Sequence, residues 1–577
     1  MVIGNGKWLL VSIGRLLAHP SLWHFLLHRL TRYCVAWFVT SFAAGMALFE
    51  AWKAFDAPAR NDGNYGHCTI DFGGQYLMGR MLRLGYGHHL FHRRYQRQVL
   101  SEIYPRQDQD PSQASSDVET LMGCMMGSDD AEAGKTLASF AAPLAAPNSL
   151  CLLPFLASGK VEWTSDKLDR ILAERVGGPL YPPINCFTHY PLAFFPARDA
   201  YRINQVMNLV LALAAGLGVR ILSQGRIWWP VAATVIIAFP GYSGSISLGQ
   251  NATLTLCILI WGWVLMARSV PIWGGAVWGF LAFKPVWALS FFLTMVLTRR
   301  WRDAAAMILV GVALGALTLP FVGMESWLDW FRVGQEAAAT YKADDNWIHL
   351  SRDLLSIPRR WLDFDPAEYY NRRDDIPTTI VGWALVIFVL EATLRLAFGR
   401  RIQIRAVTGP IPAFVLFAAW LCCFHFMYYD LLLAALPVFL LFTEPRQYLV
   451  PFFFTLAAVS RDQLGEKRAG YYRPGFSACY PPAPPPLPAG FQNIWVVNRV
   501  IPSLFAVLLG TAYVPYLLGF GLREFPWDTI CVMAFWFWCA WLAVRIPDPL
   551  SSKQANDHER MEEAERAASW RDAPQVV

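Results

Sequence analysis

Apolar runs recur along this chain at a length suited to crossing a bilayer, and short basic segments separate them. A membrane helix needs about 20 mostly apolar residues. Such runs are read at 34–51, 204–222, 227–245, 250–267, 304–323, 377–398, 410–425, 428–443, 499–520 and 527–545, with a shorter one at 448–459. Between 271 and 298 a long apolar run is interrupted by Lys284-Pro285, with Arg268 before it and Arg299-Arg300-Trp301-Arg302 after it. Basic flanks mark the cytoplasmic side, so this run predicts two short helices that enter and leave there, with Lys284 near the opposite face. The basic loops at 220–226, 400–405 and 444–446 fall on the cytoplasmic side in the same alternation.

The expectation is an all-α, polytopic membrane protein with about 11 to 13 membrane helices. Residues 1–33 carry Lys7, Arg15, Arg29 and Arg32 and lack the apolar core and small-residue cleavage site of a signal peptide. They are read as a basic cytoplasmic segment. A membrane core at 34–446 follows, then C-terminal membrane helices at 447–550 around a loop at 460–498 with Tyr480-Pro481-Pro482-Ala483-Pro484-Pro485-Pro486. The segment 551–577 alternates Glu, Arg and Ala as a solvated tail whose side of the membrane the pattern leaves open.

On this topology two large loops, 52–203 and 324–376, share the side opposite the cytoplasm. The first is too long for a simple connection and is expected to hold helices lying at the membrane surface. Three smaller pieces join them on that side: 241–250, the Lys284 turn and 425–430. Polar segments far apart in sequence are thereby expected to meet in one site.

Composition supports the membrane reading. Hydrophobic residues make up 55% of 577 positions and charged residues 16%, with 25 Trp and 38 Phe, more than a soluble core of this size carries. The net charge of +6 arises mainly in the loops that set topology, so it does not call for nucleic acid. Of 11 cysteines, Cys34, Cys257, Cys422, Cys423, Cys531 and Cys539 lie in spans as small apolar residues. Cys68, Cys124, Cys151 and Cys186 all fall in the first large loop. They are read either as two disulfides, in any of three connectivities, or as free thiols. Cys479 has no evident partner, and the sequon Asn251-Ala252-Thr253 sits at a membrane boundary where use is not expected.

The candidate chemistry begins at Thr69-Ile70-Asp71-Phe72-Gly73-Gly74-Gln75-Tyr76, just beyond the first span. A carboxylate there can meet lipid-borne substrate at the water boundary, or simply cap a helix. Arg80, Arg83, His88, His89, His92, Arg93 and Arg94 follow, mixed with Met81, Leu82, Leu84, Leu90 and Phe91. That mixture suits an interfacial helix, either binding phosphate headgroups or anchoring in them.

The pattern Asp71-Phe72, Tyr76, Gly79-Arg80, Leu84-Gly85, Leu90-Phe91 resembles the first loop of glycosyltransferase family 87, the polyprenol-phosphate-mannose-dependent mannosyltransferases of the GT-C fold. Tyr181-Pro182-Pro183 with Pro191-Leu192 is similar to the family's tyrosine and double-proline stretch, Leu248-Gly249-Gln250-Asn251 to its glycine-glutamine motif, and Lys284-Pro285 to its lysine-proline pair. His425-Phe426-Met427-Tyr428-Tyr429-Asp430 with Pro437 resembles its late histidine-tyrosine motif. The resemblance covers about residues 34–445. Two stretches depart from it. Residues 105–175, with Asp108, Asp110, Asp117, Glu119, Asp129 and Asp130, look like an insertion without an assigned role. Asp345-Asn346-Trp347-Ile348-His349-Leu350-Ser351-Arg352 stands where many members carry an asparagine, glutamine, serine motif.

The resemblance implies a sugar, mannose first, moved from a polyprenyl-phosphate donor to a lipid, glycan or protein acceptor, with inversion, on the exoplasmic face of a bacterial inner membrane. Asp71 is then the general base that takes the acceptor proton. The donor phosphate needs cationic groups, for which Lys284, His349, Arg352, His425 and Arg80 are the candidates. Tyr181, Gln250, Asn346, Tyr429 and Asp430 are candidates for sugar or acceptor contacts. Each has a structural alternative: a snorkelling lysine, a hydrogen-bonded core histidine, a helix cap. Only one catalytic carboxylate is required, because phosphate is already a good leaving group; no cofactor is required, although a divalent ion bridging the phosphate is compatible. No Cys/His set has structural-zinc spacing; His88-His89 with His92, and Asp129-Asp130, come nearest, and no metal ligands are assigned. The rival reading is a transporter or lipid flippase, which explains broken helices and a lysine in an apolar run. A noncatalytic assembly factor with the same fold is a third.

Overall fold

The computed structural model describes residues 28–55, 71–103, 178–268, 271–343, 350–359, 376–399, 407–443 and 526–545. The predicted spans at 448–459 and 499–520, the proline-rich loop, the 105–175 insertion and the charged tail lie outside them.

The described residues form an all-α, polytopic protein. Helix α1 is Arg29–Phe55. The first large loop contributes α2 (Asp71–Arg83), α3 (Arg93–Ile103) and α4 (Asn185–His189). The central apolar helices follow: α5 (Ala197–Leu222), α6 (Trp229–Ala238), α7 (Tyr242–Leu248), α8 (Ala252–Ala267), α9 (Pro271–Gly279) and α10 (Pro285–Leu297). Beyond them lie α11 (Trp301–Ala343), α12 (Ser356–Arg359), α13 (Ile376–Gly399), α14 (Pro410–Leu421), α15 (Ala435–Thr443) and α16 (Trp527–Arg545).

Among the described residues four helices are long and apolar enough to cross a membrane alone: Leu30–Lys53, Ala197–Leu222, Trp301–Gln335 and Pro377–Phe398. Shorter apolar helices pack among them. Many large apolar side chains on the long helices point outward, including Phe38, Phe42, Val210, Leu309, Val312, Ile380 and Ile387. Water disfavours such a surface and lipid accepts it.

Helix association uses polar contacts as well as packing, as expected where lipid removes the hydrophobic drive between helices. Thr40 on α1 donates to the Pro230 carbonyl at 2.9 Å and meets Thr234 Oγ1 at 2.9 Å, both on α6. On the N-terminal side of Thr40, Tyr33 meets Trp228 and Trp37 meets Trp229 edge-on.

Three predicted spans depart from straight helices. The run at 227–245 is bent by 72° between α6 and α7. Phe239 is extended, Pro240 cannot donate a helix hydrogen bond, and Gly241 takes φ 93°, so the chain turns there. The run at 410–425 stops at Leu421, after which the chain is irregular through 422–426, turning at His425, and Met427 bridges to Ser351 of the second large loop. The run at 428–443 opens with a 3-10 segment, Tyr428–Ala434, before α15 begins. By contrast, 271–298 forms the two short helices expected, with Lys284 at the break. The span at 304–323 is followed by helix, because α11 runs to Ala343 across a non-helical Gly323 at φ 67°, ψ 166°.

The first-loop helices do not lie simply on a membrane surface. Phe72 through Gly79 and Met81 of α2 are buried, and Phe72, Tyr76, Met78, Leu90, Phe91, Cys186, Tyr201 and Val322 form a second apolar core beside the central one. Cys186 is a free, buried thiol in that core. Its suggested partners Cys68, Cys124 and Cys151 lie outside the described residues.

Candidate functional site

Asp71 is the first residue of α2 and takes φ 50°, a left-handed conformation uncommon outside glycine and asparagine-like side chains. Gln250 Nε2 donates to Asp71 Oδ1. The same amide accepts from Tyr181 OH through Oε1 at 2.8 Å. Both ends of the Gln250 amide are therefore used, which fixes its orientation and links three segments of the chain at one carboxylate. Gln250 is buried, whereas Asp71 and Tyr181 are half-buried.

The backbone under this chain of hydrogen bonds is tightly set. Gly249 sits at φ 64°, and a Cβ there would fall 2.5 Å from Phe72 Cβ, the side chain next to Asp71. Asn204 of α5 donates to the Gly249 carbonyl at 3.2 Å. Gln75 donates to the Asp71 carbonyl at 3.0 Å and accepts from Asn251 at 3.3 Å. Gln75 and Asn251 lie inside the segments quoted above without a role assigned to them, and Asn204 lies in none; amide side chains beside apolar spans are the signal that could have found all three.

The second focus is Lys284. Its Nζ lies 2.5 Å from Asp430 Oδ1 and 5.4 Å from the centroid of the Tyr429 ring. Asp430 is buried and Lys284 half-buried. An ammonium has three N–H donors, so pairing with one carboxylate oxygen leaves Lys284 able to bind an anion. The Asp430 carbonyl also accepts from the Trp420 indole at 3.2 Å, which holds the segment against α14.

The element 241–250 joins the two foci. A Cβ at Gly241 would lie 2.6 Å from the Tyr429 carbonyl, and one at Gly244 would lie 2.5 Å from the Tyr428 ring. The bent α6–α7 pair therefore lies against 428–430 at one end and presents Gln250 to Asp71 at the other. The second large loop closes on the same region. Asp353 Oδ2 accepts from the His425 backbone N–H at 2.7 Å, where His425 takes φ 56°, while its Oδ1 accepts from Ser356 N–H at 2.8 Å and caps α12.

The remaining candidates are placed differently. Arg352 is buried in an ion pair with Asp528 of α16, and Thr529 Oγ1 donates to the Arg352 carbonyl at 3.0 Å. That guanidinium ties the second large loop to α16. Arg80 and Arg83 both donate to the Ala193 carbonyl, at 2.8 and 2.6 Å, and Arg83 also lies over the Phe194 ring. They bind α2 to the 3-10 turn Leu192–Phe194 rather than standing apart as an anchor row. His349 and Asn346 lie outside the described residues.

His189 was not a candidate. It is the last residue of α4 and is buried against α2, its ring edge-on to Phe72 and its Nδ1 2.8 Å from Thr188 Oγ1. Burial lowers its imidazole from the ordinary 6.5 to about 4, against a smaller opposing contribution from the Asn185 backbone.

The model of glycosyltransferase family 87 matches residues 180–371. The match includes Tyr181, Gln250, Lys284, Arg352 and Asp353; Asp71 and 425–430 fall outside it and reach it through the contacts above. No curated protein and no solved structure matches the chain. Residues 180–371 thus resemble glycosyltransferase family 87, and the all-α, polytopic fold of the described residues agrees with the GT-C type of membrane glycosyltransferase.

Proposed function

We propose that this chain is a glycosyltransferase that takes its sugar, mannose in the first instance, from a polyprenyl-phosphate donor and passes it to a lipid, glycan or protein acceptor on the exoplasmic face of a bacterial inner membrane. The observation that carries the reading is the Tyr181–Gln250–Asp71 chain of hydrogen bonds, which holds one oriented carboxylate at the first residue of α2. The donor tail stays in the bilayer while its phosphate and sugar reach the polar side.

The acceptor hydroxyl attacks the anomeric carbon as its proton passes to Asp71, and the carbon–phosphate oxygen bond breaks with the electron pair leaving on phosphate. Direct displacement inverts the anomeric centre, giving an α-linkage from a β-linked donor. Lys284, oriented by Asp430, meets the charge that develops on the departing phosphate, and His425 lies in the neighbouring turn. Tyr181 and Gln250, first read as sugar contacts, act on this proposal by positioning the base. Neither nucleic acid nor a cofactor enters any step.

Broken helices around a Lys–Asp pair also suit a transporter. Sugar transfer from synthetic polyprenyl-phosphate-mannose to membrane-lipid acceptors, comparing purified wild-type protein with Asp71→Asn, separates the two. Transfer that disappears in a folded Asp71→Asn protein is the expected result. Full activity in that variant removes Asp71 from the role of base, and substrate translocation without transfer by the wild type favours the transporter.

A further inference from the structure

The histidines that follow α2 take no part in the proposed reaction, yet the fold gives one of them a specific environment. His92 immediately precedes α3, and its Nε2 lies 3.2 Å from Asp329 Oδ2 and 3.7 Å from Glu325 Oε1. Glu325 and Asp329 stand one turn apart on α11, just past the Gly323 break, so they share a helix face. One ligand atom from each residue lies within 4.8 Å of the other two.

We propose that His92, Glu325 and Asp329 form a binding site for a zinc-class divalent cation. Ligands bonded to tetrahedral zinc at about 2.0–2.1 Å are about 3.3–3.4 Å from one another, and the two separations from His92 bracket that spacing. An imidazolium–carboxylate pair explains the arrangement less well. A single Nε2–H can be directed at one carboxylate only, whereas both acids lie within 4 Å of that nitrogen. A divalent ion takes the neutral imidazole nitrogen and one oxygen of each carboxylate together. Nitrogen with two oxygens is a ligand set that suits zinc better than magnesium, which prefers oxygen alone.

The surroundings are built to hold these groups in place. His92 and Asp329 are 5% and 2% exposed. Arg332 donates to Asp329 Oδ1 at 3.0 Å, which orients the carboxylate with Oδ2 toward His92. Ser326 Oγ donates to the Gly87 carbonyl at 3.0 Å, and a Cβ at Gly87 would lie 2.3 Å from the Phe321 carbonyl, so the turn before His92 sits directly on the α11 backbone. The Glu325 side chain, 54% exposed, marks the open side where water completes the coordination. A cation here would clamp the loop that follows α2 to the helix after the break, at the opposite end of α2 from Asp71. It is a positioning site, separate from any ion on the donor phosphate.

The test uses purified full-length protein stripped with chelator. Zinc content after equilibration and dialysis, and the visible spectrum on cobalt(II) titration, are measured for wild type, His92→Gln, Asp329→Asn and Glu325→Gln. The expected result is about one equivalent of metal in wild type with a four-coordinate cobalt spectrum, affinity at least about tenfold weaker in each variant, and a rise in thermal midpoint with zinc in wild type alone. Glu325 is exposed, so Glu325→Gln keeps its fold and guards against loss of metal by misfolding. Absence of stoichiometric metal in wild type, or equal binding by wild type and Glu325→Gln, overturns the proposal.

Discussion

Gln250 donates to Asp71 across 179 positions of sequence and is itself held by Tyr181. A base whose orientation depends on a second side chain is sensitive to changes that never touch substrate. Tyr181→Phe removes one hydrogen bond worth about 1 kcal/mol and is expected to lower kcat by roughly five- to tenfold, with little change in thermal midpoint. Gln250→Glu places a like charge beside Asp71, which disfavours its ionised form. The acidic limb of the kcat profile should therefore move to higher pH, and an unchanged limb would remove Asp71 from the titrating step.

Lys284 and Asp430 are a pair within apolar surroundings. Lys284→Met leaves a buried carboxylate without its cation, at a cost of about 3–5 kcal/mol. A lowered thermal midpoint in detergent is expected. Lys284→Met with Asp430→Leu should recover most of that stability while sugar transfer stays lost, because the cation that faces the leaving phosphate is gone. Recovery of transfer in the double variant would show that the pair serves the fold alone.

Arg352 and Asp528 join the second large loop to α16. Single variants Arg352→Met and Asp528→Asn should each destabilise the protein, and a double-mutant cycle should return a coupling of roughly 3 kcal/mol. The same cycle distinguishes a scaffold from a phosphate ligand. If Arg352 serves the donor directly, donor KM rises in Arg352→Met far more than in Asp528→Asn.

His189 gives the first loop a pH dependence. Its folded value of about 4 lies below the ordinary 6.5, so between these limits the unfolded chain binds a proton that the folded chain does not. The stability due to the neutral buried ring is fully present above pH 6.5. It falls as pH drops through that window, by an amount on the order of 3 kcal/mol once pH is below about 4. His189→Gln should flatten the thermal midpoint between pH 6.5 and 4; the same slope in the variant would assign the effect to other groups.

Gly249→Ala tests the backbone under the base. The position needs φ 64°, and a methyl group there meets Phe72 beside Asp71. Strain of about 1–2 kcal/mol is expected, together with a larger loss of kcat than of stability, because the displaced Phe72 carries Asp71 with it. A loss of stability with kcat preserved in the folded fraction would place the effect in the fold only.

The hydropathy of this chain by itself determined where helices lie. Runs at 34–51, 204–222 and 377–398 fall within α1, α5 and α13, and Lys284-Pro285 divides its run as the basic flanks require. Motif resemblance also brought Asp71, Tyr181, Gln250, Lys284 and Asp430 into view as one set. Tertiary structure decided what those residues do to one another. It placed Gln250 on Asp71 instead of leaving it only for sugar, gave Arg352 to Asp528, bent 227–245 at Pro240-Gly241, and brought His92 to two acids more than 230 positions away. The reason lies in the range of each effect. Run length and the pleat of charges between runs are local and can be read along the chain. A polar group in apolar surroundings must find a partner, and which partner it finds depends on how helices remote in sequence pack side by side.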